Sequence, residues 1–301
     1  MILIYLKYNQ TMNKISWSDQ KIKFMKMHGI WNDFIILDAK DLQENWVELT
    51  TELIQSLCHR NFWIGSDGVI LIGKWDKIEF KYRMYNPDGT QAEMCGNGIR
   101  CYMKYLVDNG ITDKKSIKVE TWAGILSLSI EGDVVTATMW KPKIIENKYQ
   151  NIDKKNIYGA VFARGKLFKF VPVSMWNPHA VIFLKNTPVK DYDIDTYGAV
   201  IESDTEIFPH KTNVEFAQRI SSVEINMRVY ERWAWETLGC GTGACASVVA
   251  GILSWLLEKD VFVRVNLEWG ILEIKWSGNM KEEVIMRWKA ETSFEGEYFI
   301  Q

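Results

Sequence analysis

Two stretches of the chain place a thiol where it could do chemistry. One is Met94-Cys95-Gly96-Asn97-Gly98-Ile99-Arg100-Cys101, and the other is Leu238-Gly239-Cys240-Gly241-Thr242-Gly243-Ala244-Cys245. Each sets a cysteine among small residues at the start of a helical pattern, Ile99–Val107 in the first case and Ala244–Leu257 in the second. The first turn of a helix carries N–H groups without intrahelical partners, and its dipole favours negative charge. A thiol held there is more readily ionised, and so becomes a usable base or nucleophile. Cys101 and Cys245 follow their partners by about one helical turn and read as core residues, and Cys58 reads as a buried bystander near the end of a helix over 49–59.

The elements around these loops repeat. Strands are expected at 22–27, 34–39, 69–72, 78–85, 116–121, 124–130 and 134–140, with the helix 49–59 and the first thiol loop among them. Strands at 168–175, 180–184, 214–218, 223–230, 261–267, 271–276 and 283–288, with a helix at 192–202 and the second thiol loop, follow in the same order. The register is constant. Cys240 lies 145 residues after Cys95, Trp176-Asn177 lies 145 after Trp31-Asn32, Asn213 lies 145 after Gly68, and Glu231 lies 145 after Asn86. We read two copies of one unit, α+β in class, each a β-rich sheet or barrel wrapped around a central helix. An approximate two-fold relation between them would let two thiols face one bound carbon, which is what stereochemical inversion by proton transfer needs.

Bulk properties narrow the field. A chain of 301 residues has the length of about two domains. Hydrophobic content of 47% and charged content of 25% are those of a soluble globular protein. A net charge of −2 gives no electrostatic case for nucleic acid or an anionic membrane. No apolar run reaches the ~18 residues of a membrane span, and the first residues are too short and wrongly flanked for a secretory signal, so a cytoplasmic location is expected. Five cysteines without C-x-x-C spacing and four histidines argue against a disulfide framework and against a metal site.

At this level of detail the chain resembles the diaminopimelate epimerase family over about residues 22–300. The motifs that carry the resemblance are Met27-His28-Gly29 with Asn32-Asp33-Phe34, Asn86-Pro87-Asp88-Gly89-Thr90, the two cysteine loops, Asn177-Pro178-His179-Ala180-Val181, Thr212-Asn213-Val214 and Glu231-Arg232. The resemblance implies a cofactor-independent enzyme that interconverts LL- and meso-diaminopimelate, with Cys95 and Cys240 as base and acid. It implies substrate contacts from Asn32, Asn86, Asn177, Asn213, Glu231 and Arg232, with Gly68 at the register mate of Asn213. The amides of Gly96, Asn97, Gly241 and Thr242 would hold the α-carboxylate, and His179 and Glu231 would tune or orient the thiols. It also implies a homodimer and a C-terminal strand that returns to the first half. With residues 1–20 lacking periodicity and the order of elements above, this gives an extension over 1–20, a first domain over 21–141 with 286–301, and a second over 142–285. Proline or hydroxyproline racemases of the same fold are the alternative within the enzyme class, and a binding relative or a thiol redox protein the alternatives outside it. Asn97 and the Glu231-Arg232 pair favour a substrate with a second charged end.

One departure from the family pattern is systematic. Tryptophan stands where the family has glycine at Trp31, Trp63, Trp140, Trp176, Trp233, Trp235, Trp269 and Trp288, eight of the 14 tryptophans, whereas Trp276 reads as an ordinary strand residue. Glycine at such turns serves positive φ or close backbone approach. A bulky residue there costs ~1–3 kcal/mol in strain, and eight such costs together would exceed the ~5–15 kcal/mol of a typical fold. The expectation is that these positions are glycine in the cell, encoded by UGA codons that the source organism reads as glycine. With tryptophan really present at 233 and 235, the chain would instead be an inactive relative with its substrate blocked.

Overall fold

The computed structural model describes residues 20–30, 32–73, 79–145, 157–185, 187–237 and 239–300. The expected extension 1–20 therefore lies, apart from Gln20, outside the described residues, as does Trp31. The chain forms two compact units, one running to Ile125 and taking up Ala290 onward, the other Leu126–Lys289.

In the first unit a six-stranded sheet runs in the order Glu291–Phe299, Lys21–Gly29, Asn32–Asp38, Val69–Ile72, Arg83–Tyr85, Gln91–Ala92. The C-terminal strand pairs antiparallel with the first, Ile22 opposite Tyr298. Helices α1 (Ala39–Glu44) and α2 (Thr51–Cys58) lead to Val69–Ile72, which is parallel to Asn32–Asp38. α2 starts at Thr50, whose hydroxyl accepts the Leu53 amide, and it buries Ile54, Leu57 and Cys58. The long helix α3 (Gly96–Asp108) packs on the strands Lys21–Gly29 and Asn32–Asp38 and buries Ile99, Cys101, Tyr102, Met103 and Leu106.

The second unit repeats the arrangement on a larger scale. Strand Pro178–Phe183 is parallel to Asn213–Ser221, with the helix α4 (Ile194–Glu202) between them in sequence. The sheet then runs through Glu224–Tyr230, Phe262–Leu267, Gly270–Lys275 and Ile285–Lys289 to Val134–Thr138. The helix α5 (Gly241–Leu253) packs against strands from both stretches of this sheet and is buried continuously from Gly243 to Ile252. A helix apolar on every side belongs in a core, and the sheet wraps it. Cys101 and Cys245 are both fully buried, as expected, and Cys58 is nearly so.

Two boundaries differ from the expectation. Residues 126–141, assigned from the order of elements to the first domain, group with the second unit, because Val134–Thr138 pairs with Ile285–Lys289, Met286 opposite Ala137. Residues 286–289 follow for the same reason, and only the strand beyond Ala290 returns to the first unit.

The backbone speaks directly to the tryptophans. Among the described residues, eight non-glycine residues have positive φ, and four are tryptophan: Trp46 (57°), Trp176 (75°), Trp233 (64°) and Trp255 (60°). Trp176 and Trp233 belong to the expected eight; Trp63, Trp140, Trp235, Trp269 and Trp288 do not have positive φ, so the strain argument does not reach them. Trp46 and Trp255 were not anticipated. The best comparison is internal. α3 ends in a Schellman motif in which Gly110, at φ 65°, donates to Val107 O and Ile111 donates to Leu106 O. α5 ends in the same motif, with Trp255 donating to Ile252 O and Leu256 to Gly251 O. Trp255 lies 145 residues after Gly110 and is 94% exposed, so its ring gains almost nothing from burial. Trp276, by contrast, is 1% exposed and donates to Glu282 O.

A left-handed residue with a Cβ costs about 1–2 kcal/mol. Trp255→Gly is expected to stabilise the protein by about 1 kcal/mol, a rise in melting temperature of roughly 2–4 °C. Peptide mass spectrometry of the protein from its own cells is expected to show glycine at 46, 176, 233 and 255; indole masses there would refute the recoding.

Candidate active site

Each candidate cysteine is the residue immediately before its helix. Cys95 caps α3 with extended backbone (φ −132°, ψ 123°), and Cys240 caps α5 in the same way (φ −113°, ψ 114°). Gly96, Asn97 and Gly98 precede the first helical bond of α3, which runs from Ile99 N–H to Cys95 O; in α5 that bond runs from Ala244 to Cys240. The close packing demands glycine: a Cβ on Gly98 would collide with the Tyr82 hydroxyl, and one on Gly243 would come 2.8 Å from Glu215 Oε1.

In the first unit Asn32 is the hub. Its Oδ1 accepts from the Cys95 thiol at 3.3 Å and from Asn97 Nδ2 at 3.4 Å, while its own Nδ2 donates to Asp67 Oδ2 at 2.6 Å. Asn97 is 4% exposed, and its Oδ1 accepts from Arg100 Nη2 at 2.9 Å. Asp67 shares Arg60 with Asp33, at 2.6 and 2.7 Å, and Lys26 adds a second cation 2.7 Å from Asp33. Burial pushes the Asp33 carboxyl up, but hydrogen bonds and charge from Arg60 and Lys26 outweigh it and bring it to about 2. Cys101, buried below, is pushed up to about 12 by burial and is inert as a thiolate.

In the second unit the side chains form a line. The ring nitrogens of His179 lie 2.6 Å from Glu215 Oε1 and 2.9 Å from Asn177 Oδ1. Asn177 Nδ2 donates to Thr242 Oγ1 at 3.2 Å, and that hydroxyl is 3.4 Å from Cys240 Sγ. Cys240 Sγ also accepts the Gly243 N–H at 3.4 Å. Glu231 accepts from Thr237 at 2.5 Å and lies within hydrogen-bond reach of the Cys240 thiol. Burial raises the Glu231 carboxyl above its ordinary value despite those bonds. Burial likewise pushes the Cys240 thiol well above its ordinary value, the Glu231 and Glu215 charges add to this, and the bonds from Thr242 and Gly243 oppose it.

The remaining expected residues are placed as follows. Asn213, buried, donates to Pro178 O and accepts the Arg232 N–H, so it fixes the turn that carries Glu231 and Arg232. Arg232 lines a cavity of about 590 Å³ with Trp176, His179, His210, Lys211 and Thr212. Asn86 is not joined to the thiol by its amide, which bonds Thr90 Oγ1 within its own turn. Gly68 contributes backbone: its carbonyl accepts from Ile35 N–H and from the Ser66 hydroxyl. Glu215 and Asp67 were not anticipated. A carboxylate in the wholly buried run Val214-Glu215-Phe216 was the available signal for the first, whereas Asp67 sits in a Gly-Ser-Asp-Gly loop that reads as a turn.

Since carboxylate charge keeps Cys240 protonated, Glu231→Gln is expected to lower the pH at which its thiolate forms. Iodoacetamide labelling followed peptide by peptide across a pH series should show the Cys240 midpoint moving down; an unchanged or raised midpoint would contradict this electrostatic account.

Comparison with known proteins gives a consistent result. The family model for diaminopimelate epimerase matches residues 24–145 and again 171–292, so the duplication is a property of the family itself. The chain is 39% identical over 281 residues to a diaminopimelate epimerase of Carboxydothermus hydrogenoformans, covering 93% of this chain and 100% of that one. It is 40% identical over 288 residues to one of Methanococcus maripaludis, covering 92% and 99%. Among solved structures, a hydroxyproline epimerase from Agrobacterium vitis superposes with a TM-score of 0.64 over 93% of this chain and 92% of that one, at 13% identity. That last likeness is one of fold alone. By sequence across nearly its whole length, the chain belongs to the diaminopimelate epimerase family.

Proposed function

We propose that this chain is a diaminopimelate epimerase that works without a cofactor, Cys95 and Cys240 exchanging the α-proton of one stereocentre. The observation that carries the reading is the pair of cysteines 145 residues apart, each capping the first turn of a buried helix. An amino-acid α-proton is weakly acidic, so the charge that develops on its removal must be met by preorganised donors. The first-turn amides of Gly96, Asn97, Gly241 and Thr242 would bind the α-carboxylate and take up that charge. One sulfur, as thiolate, accepts the proton from one face, and the other, as thiol, returns a proton to the opposite face. The products are the epimer and a protein whose two sulfurs have exchanged protonation states, so a return step completes the cycle. Arg232, beside a cavity that also carries His210 and Lys211, suits the distal carboxylate, and Glu231 with Asn32, Asn86, Asn177 and Asn213 supplies acceptors for ammonium groups. A homodimer in the cytoplasm, feeding lysine and peptidoglycan-precursor synthesis, completes the reading on the strength of the family resemblance.

Proton exchange tests it. With reductant in D₂O, LL-diaminopimelate is expected to lose its α-proton signal by NMR while meso product forms. Cys95→Ala and Cys240→Ala should each slow this by at least ~10²-fold, and Cys101→Ala and Cys245→Ala should retain it. Absence of exchange in a folded protein carrying glycine at the expected positions would overturn the assignment.

A further inference from the structure

The bonds around Cys95 form a chain whose direction is fixed at both ends. Arg100 can only donate, so the Asn97 oxygen faces it, and the Asn97 Nδ2 is left facing Asn32. At the other end the Asp67 carboxylate can only accept, so the Asn32 Nδ2 faces Asp67 and its Oδ1 faces Cys95 and Asn97. Asp67 is itself held by Arg60 at 2.6 Å and by a reciprocal pair of backbone bonds, Asp33 N–H to Asp67 Oδ2 and Asp67 N–H to Asp33 Oδ1, each 3.1 Å. Were Asn32 to rotate its amide, an N–H would meet the Cys95 sulfur and an oxygen would meet the Asp67 carboxylate. A carbonyl oxygen next to sulfur accepts S–H and disfavours thiolate, whereas an N–H does the reverse.

We propose that Asp67 is a positioning residue that locks the Asn32 amide with its oxygen on Cys95, and so keeps the resting Cys95 as a thiol ready to donate its proton. The second unit makes the opposite choice at the related position. Asn177, 145 residues after Asn32, turns its Oδ1 to His179 and its Nδ2 to Thr242, the counterpart of Asn97. Thr212 stands where the repeat would place Asp67, and its hydroxyl donates to a backbone carbonyl, Asn213 O. The repeat has thus been broken at the residue that sets amide direction. A proton relay between two thiols needs one donor and one acceptor at the start, and two identically wired halves would not distinguish them. Among the described residues, the charged or titratable groups that face this site include Arg100 and Cys101 from α3, Tyr82 near the Cys95 backbone, and Asp33 with Arg60 and Lys26 behind Asp67.

The proposal rests on Cys95 being a reacting thiol, but its test does not use the substrate, so failed D₂O exchange and failure here are separate outcomes. In the full-length protein, iodoacetamide labelling of the Cys95 peptide is followed across pH, and the midpoint is the readout because limiting rates also report exposure. Asp67→Asn frees the Asn32 amide to rotate and is expected to lower the midpoint by about 0.7 pH unit, roughly fivefold more thiolate at neutral pH, the scale of one hydrogen bond. In an Asn32→Ala background, where no amide remains to turn, Asp67→Asn should leave the midpoint in place; a shift of the same size there would be the lost charge alone and would overturn the proposal. Asp67→Glu keeps an acceptor-only carboxylate and should restore the original midpoint. A folded Asp67→Asn protein with an unchanged midpoint, or Asp67→Glu shifted as far as Asp67→Asn, would overturn the proposal. Should Asp67→Asn not fold, Asn32→Ala decides: removal of the carbonyl should lower the midpoint, and no shift would refute the role.

Discussion

The constraint on which both candidate cysteines depend is the first turn of the helix that each one caps. Three amides at the start of α3 and three at the start of α5, of which Gly243 bonds the Cys240 sulfur, stand outside the helical ladder, and a buried helix end cannot leave such groups without partners cheaply. A sulfur at the cap and an anionic ligand beyond it are natural partners. The sheet fixes where those amides point, because α5 is buried on all sides and α3 is held along its length by residues such as Cys101 and Tyr102, both fully buried. The glycines of both loops follow from the same constraint. Gly98 lets α3 sit against Tyr82, and Gly243 lets a carboxylate, Glu215, approach the positive end of α5. A methyl group at either place would push the helix start away from the side chains that work on the cysteine.

Much of this was legible in the residues, for a physical reason. A cysteine followed by glycine at the mouth of a helix is a weak signal alone, and recurrence at one fixed spacing turns it into a duplication. Most of the periodic strands and both long helices appear close to where alternation and helical spacing place them; of the strand expected at 78–85 only Arg83–Tyr85 forms, and residue 78 lies outside the described residues. The domain boundary was not legible. Val134–Thr138 follows the first helix in order, yet its partner, Ile285–Lys289, lies some 150 residues away, and pairing between distant strands leaves no local trace. Asp67 and Glu215 escaped for a related reason. Their importance lies in what they touch, since Asp67 matters through Asn32, and Glu215 through His179. Asn86 shows the opposite case: a motif position whose amide is spent on its own turn, through Thr90.

The tryptophans make backbone geometry independent of family pattern. A residue at the C′ position of a Schellman motif must be left-handed whatever its side chain, and that geometry recurs at Gly110 and Trp255 with the same pair of hydrogen bonds. Trp46 satisfies the same rule after α1, where it donates to Gln43 O and Val47 donates to Leu42 O. Nothing packs around Trp255 to repay the strain, as it is 94% exposed. The turn bearing Glu231 and Arg232 carries Trp233 at φ 64°, directly after the residue whose amide bonds Asn213. Glycine at these four places relieves strain and, at 176 and 233, removes bulk from the neighbourhood of the side chains assigned to the substrate.

Partner chemistry separates the two sulfurs more sharply than their backbone settings do. Both cysteines cap a helix in extended conformation, and both have an oxygen acceptor for S–H. At Cys95 that acceptor is a neutral amide, which can take a hydrogen bond but cannot hold a proton. At Cys240 it is the Glu231 carboxylate, whose affinity for a proton burial has raised. The charge of that carboxylate, with Glu215, holds the proton on Cys240, while the bonds from the Thr242 hydroxyl and the Gly243 amide oppose it. The Cys95 thiol meets the Asn32 amide oxygen instead. A duplicated fold has in this way acquired two cysteines with different partners: the helices and strands preserve the repeat, and a few side chains, Asp67 against Thr212 and Asn97 against Thr242, undo it.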